Sequence, residues 1–200
     1  MANEQPEGSP PVESLEKLKK IDWEEVRKSF EEIKILSQRG WAIIAASHLD
    51  EQLADLLRAF FVDDQRTADQ VLEDTGAISG FGARIELAFL LGLISARERR
   101  MLNLIRKIRN DFAHNSKIAS FSQSPIKDRC LELDATKILE SEELGDPRKP
   151  EGKFFAAFSF LLLVLVHNRL NAVQRLNQSA KTISPPWSRS IQENRSNILV

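Results

Sequence analysis

Between Trp41 and Val62 the chain reads WAIIAASHLDEQLADLLRAFFV, and Leu49, Leu53, Leu56, Leu57 and Phe60 recur at i, i+4, i+7, i+8 and i+11. That spacing is the repeat of an α-helix with one buried stripe, and Asp50, Glu51, Asp55 and Arg58 fall off the stripe. The first half of the segment is apolar on nearly every side, which places it at the centre of a core or at a subunit contact. A helix of this kind needs other helices to cover it, and the remaining sequence offers them with almost no alternating strand pattern. The expected fold is all-α, a single-domain helical bundle.

The other elements follow from spacing and punctuation. Val12 to Gln38 carries Leu15, Leu18, Ile21, Val26, Phe30 and Ile33 at helical spacings, with Asp22 as a cap between two segments and Gly40 as the break. Thr67 to Glu73 reads as a short helix. Gly76, Gly80 and Gly82 make a loop before ARIELAFLLGLI, an apolar helix that Gly92 ends. Ser95, with Glu98 three residues on, forms a capping box for a helix bearing Met101, Ile105, Ile108 and Phe112 on one stripe. Ile126 to Leu133 has no readable period, EELGDPRKPEG is a loop, and Lys153 to Asn177 is a last long helix. The divisions are a disordered lead-in over 1–11, a helical bundle domain over 12–177, and a mobile C-terminal tail over 178–200.

Charge and cysteine content narrow the partners. With 28 basic against 29 acidic residues the chain has no global field for nucleic acid or an anionic membrane, so any such contact must be local. The lone Cys130 cannot form an internal disulfide, and the first residues lack a signal-peptide pattern, which points to the cytoplasm. The most apolar stretch, Phe154 to Val166, is shorter than the roughly 20 residues a bilayer needs and reads as a buried helix, so no membrane contact is expected. Phe154, Phe155, Phe158 and Phe160 belong to a core or subunit interface, and two helices this apolar predict a homodimer seam.

Motif searches leave one polar cluster. His48, His114 and His167 are too far apart in sequence for zinc-ligand spacing, so no metal is expected; no phosphate loop or dinucleotide fingerprint appears, so no cofactor is expected either. His48 and His167 read as hydrogen-bonded interior residues. The cluster is Arg106 to Asn115, at the end of the capped helix. At 100° per residue Arg99, Asn103, Arg106, Asn110 and His114 share a polar face, with Arg109 at its edge, about 140° from His114. Arg109 and His114 therefore meet only if the helix unwinds near Asn115 or if a dyad joins two copies. Such a set could cleave RNA without metal, arginine holding the phosphate and imidazole moving the proton. The structural alternative pairs Arg109 with Glu51 or Glu86, has Asn110 cap a neighbouring backbone, and leaves His114 favourably placed at a helix C-terminus. Arg99, Arg106 and Lys107 could add a phosphate-binding stripe, although salt bridges to Asp50, Glu51 and Asp55 compete for such a basic run, and specific DNA binding by this chain alone is not expected.

Two resemblances overlap here. From about Trp41 to Lys137 the chain resembles the mannitol-operon repressor family in the helix IIAASHLDEQLADLLRAFF, the loop GAISGFG, the run ARIELAFLLGLIS and the helix ending RNDFAHN, in that order. This implies an all-helical, dimeric cytoplasmic regulator, repressing through a protein partner or through an operator. Locally, Arg109-Asn110-Asp111-Phe112-Ala113-His114 is similar to the R-x4-H motif of HEPN proteins, helical modules that often dimerise and in many branches cleave RNA. Carried over, Arg109 would bind phosphate, Asn110 would position it and His114 would handle the proton. Ser116 stands where toxin branches carry tyrosine, and the chain has no tyrosine, which excludes tyrosine-directed nucleotidylation. The leading reading is a regulatory interaction protein of the mannitol-repressor type. The alternative is a HEPN metal-independent endoribonuclease of toxin or defence type, and a weaker one is a DNA-binding repressor.

Overall fold

The computed structural model of the chain describes residues 37–61, 64–73, 75–134, 146 and 148–182, with side chains as far as residue 172. Six helices are described: α1 Gln38–Phe60, α2 Gln65–Leu72, α3 Phe81–Leu90, α4 Ala96–His114, α5 Ile126–Leu131 and α6 Pro150–Thr182. Among the described residues there is no strand, and the architecture is an all-α bundle. The segments expected within 12–36, the lead-in 1–11 and residues 183–200 lie outside the described residues.

The local chemistry explains where the helices begin and end. Gly40 does not break the chain as expected: Ser37 is the N-cap, its hydroxyl accepts from Gly40 N–H at 3.2 Å, and glycine sits harmlessly in the first turn of α1. Asp64 starts α2 two residues earlier than the apolar pattern suggested, accepting from the Thr67 N–H at 3.1 Å and hydroxyl at 2.9 Å. Gly92 ends α3 as expected, with φ +68; its N–H donates to Phe89 and that of Leu93 to Ala88, the paired bonds of a Schellman turn. The α4 capping box is complete, Ser95 N–H donating to Glu98 at 2.6 Å and Glu98 N–H to the Ser95 hydroxyl at 3.3 Å.

Ile126 to Leu133, which had no readable period, contributes α5 and buries Ile126, Cys130 and Leu133. The last helix begins at Pro150, where a missing N–H costs nothing, and runs to Thr182, longer at both ends than expected. Its window Pro150–Ala172 is therefore long and apolar enough to cross a membrane by length and composition, unlike the shorter stretch read from sequence; half of that window is buried inside the bundle.

Side-chain contacts give the topology. The same sequence offset of 114 separates Asp55 from Arg169 and Trp41 from Phe155, so α1 and α6 lie side by side and parallel. Helix α4 runs against α6, with Arg97 over the Phe160 ring and the Leu93 carbonyl accepting from Asn168, and against α3, where Glu86 meets Arg99 and Gly82 meets Arg106. One end of the α1–α6 pair is closed by rings: Trp41, Phe112, Phe121, Phe154 and Phe155 pack with centroids 4.9–5.6 Å apart. Ala42, Ala45, Ala46, Phe154 and Phe158 are all buried in this single chain, which uses much of the apolar surface that pointed to a dimer seam. Phe155 and Phe160 are half-buried against the same core.

Candidate functional site

Helix α4 turns Met101, Ile105, Ile108 and Phe112 into the core, so its polar face is set by what remains. Along that face, next to α3, runs a ladder of polar contacts. Glu86 accepts from Arg99 at 2.5 Å and from Asn103 at 3.3 Å, and Arg99 also lies over the Phe89 ring at 4.6 Å. The Asn103 side-chain oxygen accepts from Arg106 Nε and Nη2 at 3.3 and 3.2 Å, and the Arg106 guanidinium rests against Gly82. Arg99 foremost, with Asn103 and Arg106, holds the Glu86 carboxyl below the usual carboxylate range.

Beyond this ladder three polar side chains of the motif form no such contacts. Arg109 and Asn110 are half-buried, His114 is exposed in the last turn, and none of the three makes a hydrogen bond or ion pair among the described residues. Arg109 does not pair with Glu51 or Glu86: Arg99 occupies Glu86, and Arg109 acts instead on Asp50, whose carboxyl is held chiefly by Arg84 at 2.7 Å. Among the described residues Asn110 caps no backbone. Lys107 is exposed.

The acids of α1 that were expected to neutralise the basic run are taken by other arginines, Asp50 by Arg84 and Asp55 by Arg58 and Arg169, while Glu51 lies 3.8 Å from His48. Arg97, Arg99 and Arg100 pair instead with Asp134, Glu86 and Glu132.

The helix end itself is held rigidly. Asp111 and Arg129 form a half-buried ion pair that fastens α4 to α5. Arg39 of α1 donates to the Ala113 carbonyl at 3.2 Å, and the Asn115 N–H donates to Asp111 at 3.0 Å. Helical geometry therefore persists through His114, and unwinding near Asn115 does not bring Arg109 and His114 together. On a regular helix they point about 140° apart, so within one chain they do not share a cleft. Sequence reasoning missed Arg39, Asp111 and Arg129 as the groups that set this geometry; the position of Asp111 inside the motif was the available signal.

His48 and His167 are half-buried, the latter with Nδ1 buried and without a hydrogen bond. Among the described residues no three His, Cys, Asp or Glu side chains gather as a metal site.

Fold and site together define a helical bundle with one polar helix end whose arginine, asparagine and histidine make no hydrogen bond or ion pair among the described residues. No family model and no curated protein sequence matches the chain. Among solved structures it is similar to a chain of the MtlR–HPr complex from Escherichia coli, with a TM-score of 0.50 and 17% identity, over 74% of this chain and 96% of that one. The likeness is one of fold.

Proposed function

We propose that this chain is a cytoplasmic regulatory protein of the mannitol-repressor type, acting by binding a protein partner. The observation that carries this reading is that its fold matches nearly the whole length of a chain solved in complex with HPr. The occupation of Arg97, Arg99 and Arg100 by internal carboxylates sits with an interaction role. The partner proposed is a small protein of the HPr type. Titration calorimetry of the full chain against purified HPr tests it: saturable 1:1 binding is expected, and no heat at concentrations of about 100 μM would overturn it.

A second reading is favoured by one observation: Arg109, Asn110 and His114 make no hydrogen bond or ion pair among the described residues. We propose it as a metal-independent endoribonuclease whose sites form across a homodimer, Arg109 and Asn110 from one copy facing His114 of the other. Single-stranded RNA incubated in EDTA with wild type and with His114→Ala separates the two: cleavage by the first and none by the second supports this reading. Intact RNA in both tubes leaves the interaction role alone.

A further inference from the structure

Helices α1, α3 and α4 meet around one carboxylate. Asp50 of α1, its side chain 24% exposed, accepts from Arg84 of α3 at 2.7 Å. Two residues before Arg84, Gly82 leaves room for Arg106 of α4, whose guanidinium lies 3.5 Å from where a Cβ at that glycine would stand. Arg109 follows three residues later on α4, so its Cβ is about 5–6 Å from that of Arg106. Both belong to the flank that faces α1: Ala113, about 40° round from Arg109, accepts from Arg39 of α1 through its carbonyl. The charge of Arg109 accordingly reaches Asp50. Three guanidiniums gather at this junction.

Charge does not balance there. The other carboxylate in reach is Glu86, held first by Arg99 and more weakly by Arg106, so Arg84, Arg99, Arg106 and Arg109 face only Asp50 and Glu86. Arg106 and Arg109 are half-buried, yet among the described residues neither makes an ion pair. Other half-buried arginines do pair, Arg58 with Asp69 and Arg129 with Asp111. A guanidinium withdrawn from water without a counter-charge carries a desolvation cost that an anion from outside would offset. Two surplus positive charges match a phosphate monoester, which carries about −1.5 to −2 near pH 7 and accepts bidentate contacts from arginine. A nucleic-acid backbone asks instead for a continuous row of cations, and on α4 the row is broken, because Arg99 and Arg100 are spent on Glu86 and Glu132.

We infer that the junction of α1, α3 and α4 binds the phosphate group of a small phosphate monoester, with Arg106 and Arg109 contacting it and Arg84, fixed by Asp50, as the third charge. This is a different set from the stripe of Arg99, Arg106 and Lys107 read from sequence: Arg99 is taken by Glu86, and Lys107 is exposed and turned about 100° from Arg106. The site lies within one chain and needs neither a protein partner nor His114, so it stands apart from both functions proposed above.

Titration calorimetry of the full chain with glycerol phosphate at constant ionic strength tests it. Saturable 1:1 binding with a Kd below about 1 mM is expected. Arg106→Gln with Arg109→Gln should weaken it about tenfold or more. Arg66→Gln with Lys127→Gln removes the same charge from exposed places on α2 and α5 and should leave the affinity nearly unchanged. Arg109→Lys keeps the charge but not the planar fork and should weaken binding about threefold, a readout that holds even where the double variant does not fold. No saturation by about 10 mM glycerol phosphate, equal losses in the two double variants, or full affinity in Arg109→Lys would each overturn the inference. So would a single-stranded RNA of about 20 nucleotides that binds through Arg106 and Arg109 where glycerol phosphate does not, since that result assigns the arginines to a nucleic-acid backbone.

Discussion

Arg84 serves three acceptors at once: the Asp50 carboxylate at 2.7 Å, the Leu72 carbonyl at 2.5 Å and the Ile78 carbonyl at 3.1 Å. Its side chain is only 11% exposed, so no water replaces it cheaply when it is removed. Burial raises the Asp50 carboxyl above its ordinary range, opposed first by Arg84 and then by Arg109. A carboxyl raised in the folded state favours folding below its unfolded pKa, and that contribution is lost as pH rises through the folded value. Without Arg84 the rise grows. Arg84→Ala should therefore lose about 3 kcal/mol at pH 7, with part of the deficit recovered as pH falls toward about 4. Urea unfolding across that range checks it, and a deficit independent of pH would contradict the assignment. Cys130 offers a second test at this scale. Desolvation, and then the Glu151 charge, push its thiol up to about 12, so at pH 8 it holds almost no thiolate. Labelling by a disulfide reagent should proceed at the rate of global unfolding, not at that of an accessible thiol.

Elements in this chain are set mostly by their ends, and the ends were the readable part. Ser95 with Glu98, and Gly92 after an apolar run, are signals with one physical meaning each, and both are realised. The misplaced boundaries have physical reasons too. Glycine costs little in a first turn capped from Ser37, so Gly40 is no stop, and Pro150 at a helix start let α6 begin before its apolar residues did. Helix α5 was illegible because six residues are too few to show a period, and its stability comes from burying Ile126 and Cys130. The polar face of α4 was legible as a list of residues but not as contacts, because which acid meets which arginine depends on α3 and α1. Two substitutions separate caps from packing. Ser95→Ala should cost about 1 kcal/mol in thermal or urea unfolding. Gly92→Ala should cost about 1–2 kcal/mol although nothing lies within 4 Å of the added methyl, because φ +68 is strained for alanine; Gly92→Asn should recover part of it.

Across the whole molecule, one end is closed by the ring cluster around Trp41 and the α4 C-terminus, and the other is where α1 and α6 finish. Arg109 and His114 belong to the same helix, and because Arg39, Asp111 and Arg129 keep that helix regular to its last residue, one chain cannot converge them. Any chemistry that needs both is therefore a property of two copies. In a symmetric dimer the Arg109 of one subunit would meet the His114 of the other, twice. This arrangement makes a quantitative prediction that a site within one chain does not. Arg109→Ala and His114→Ala homodimers should both be inactive on RNA, yet mixing them through partial unfolding and refolding should restore activity. A heterodimer carries one site with both substitutions and one with neither. Random re-pairing gives about half heterodimers, each with one working site of two, so the mixture should recover about a quarter of wild-type cleavage. A mixture that stays as inactive as its components, when wild type treated the same way regains its activity, would remove the shared site. The polar end of α4 would then be left to partner binding.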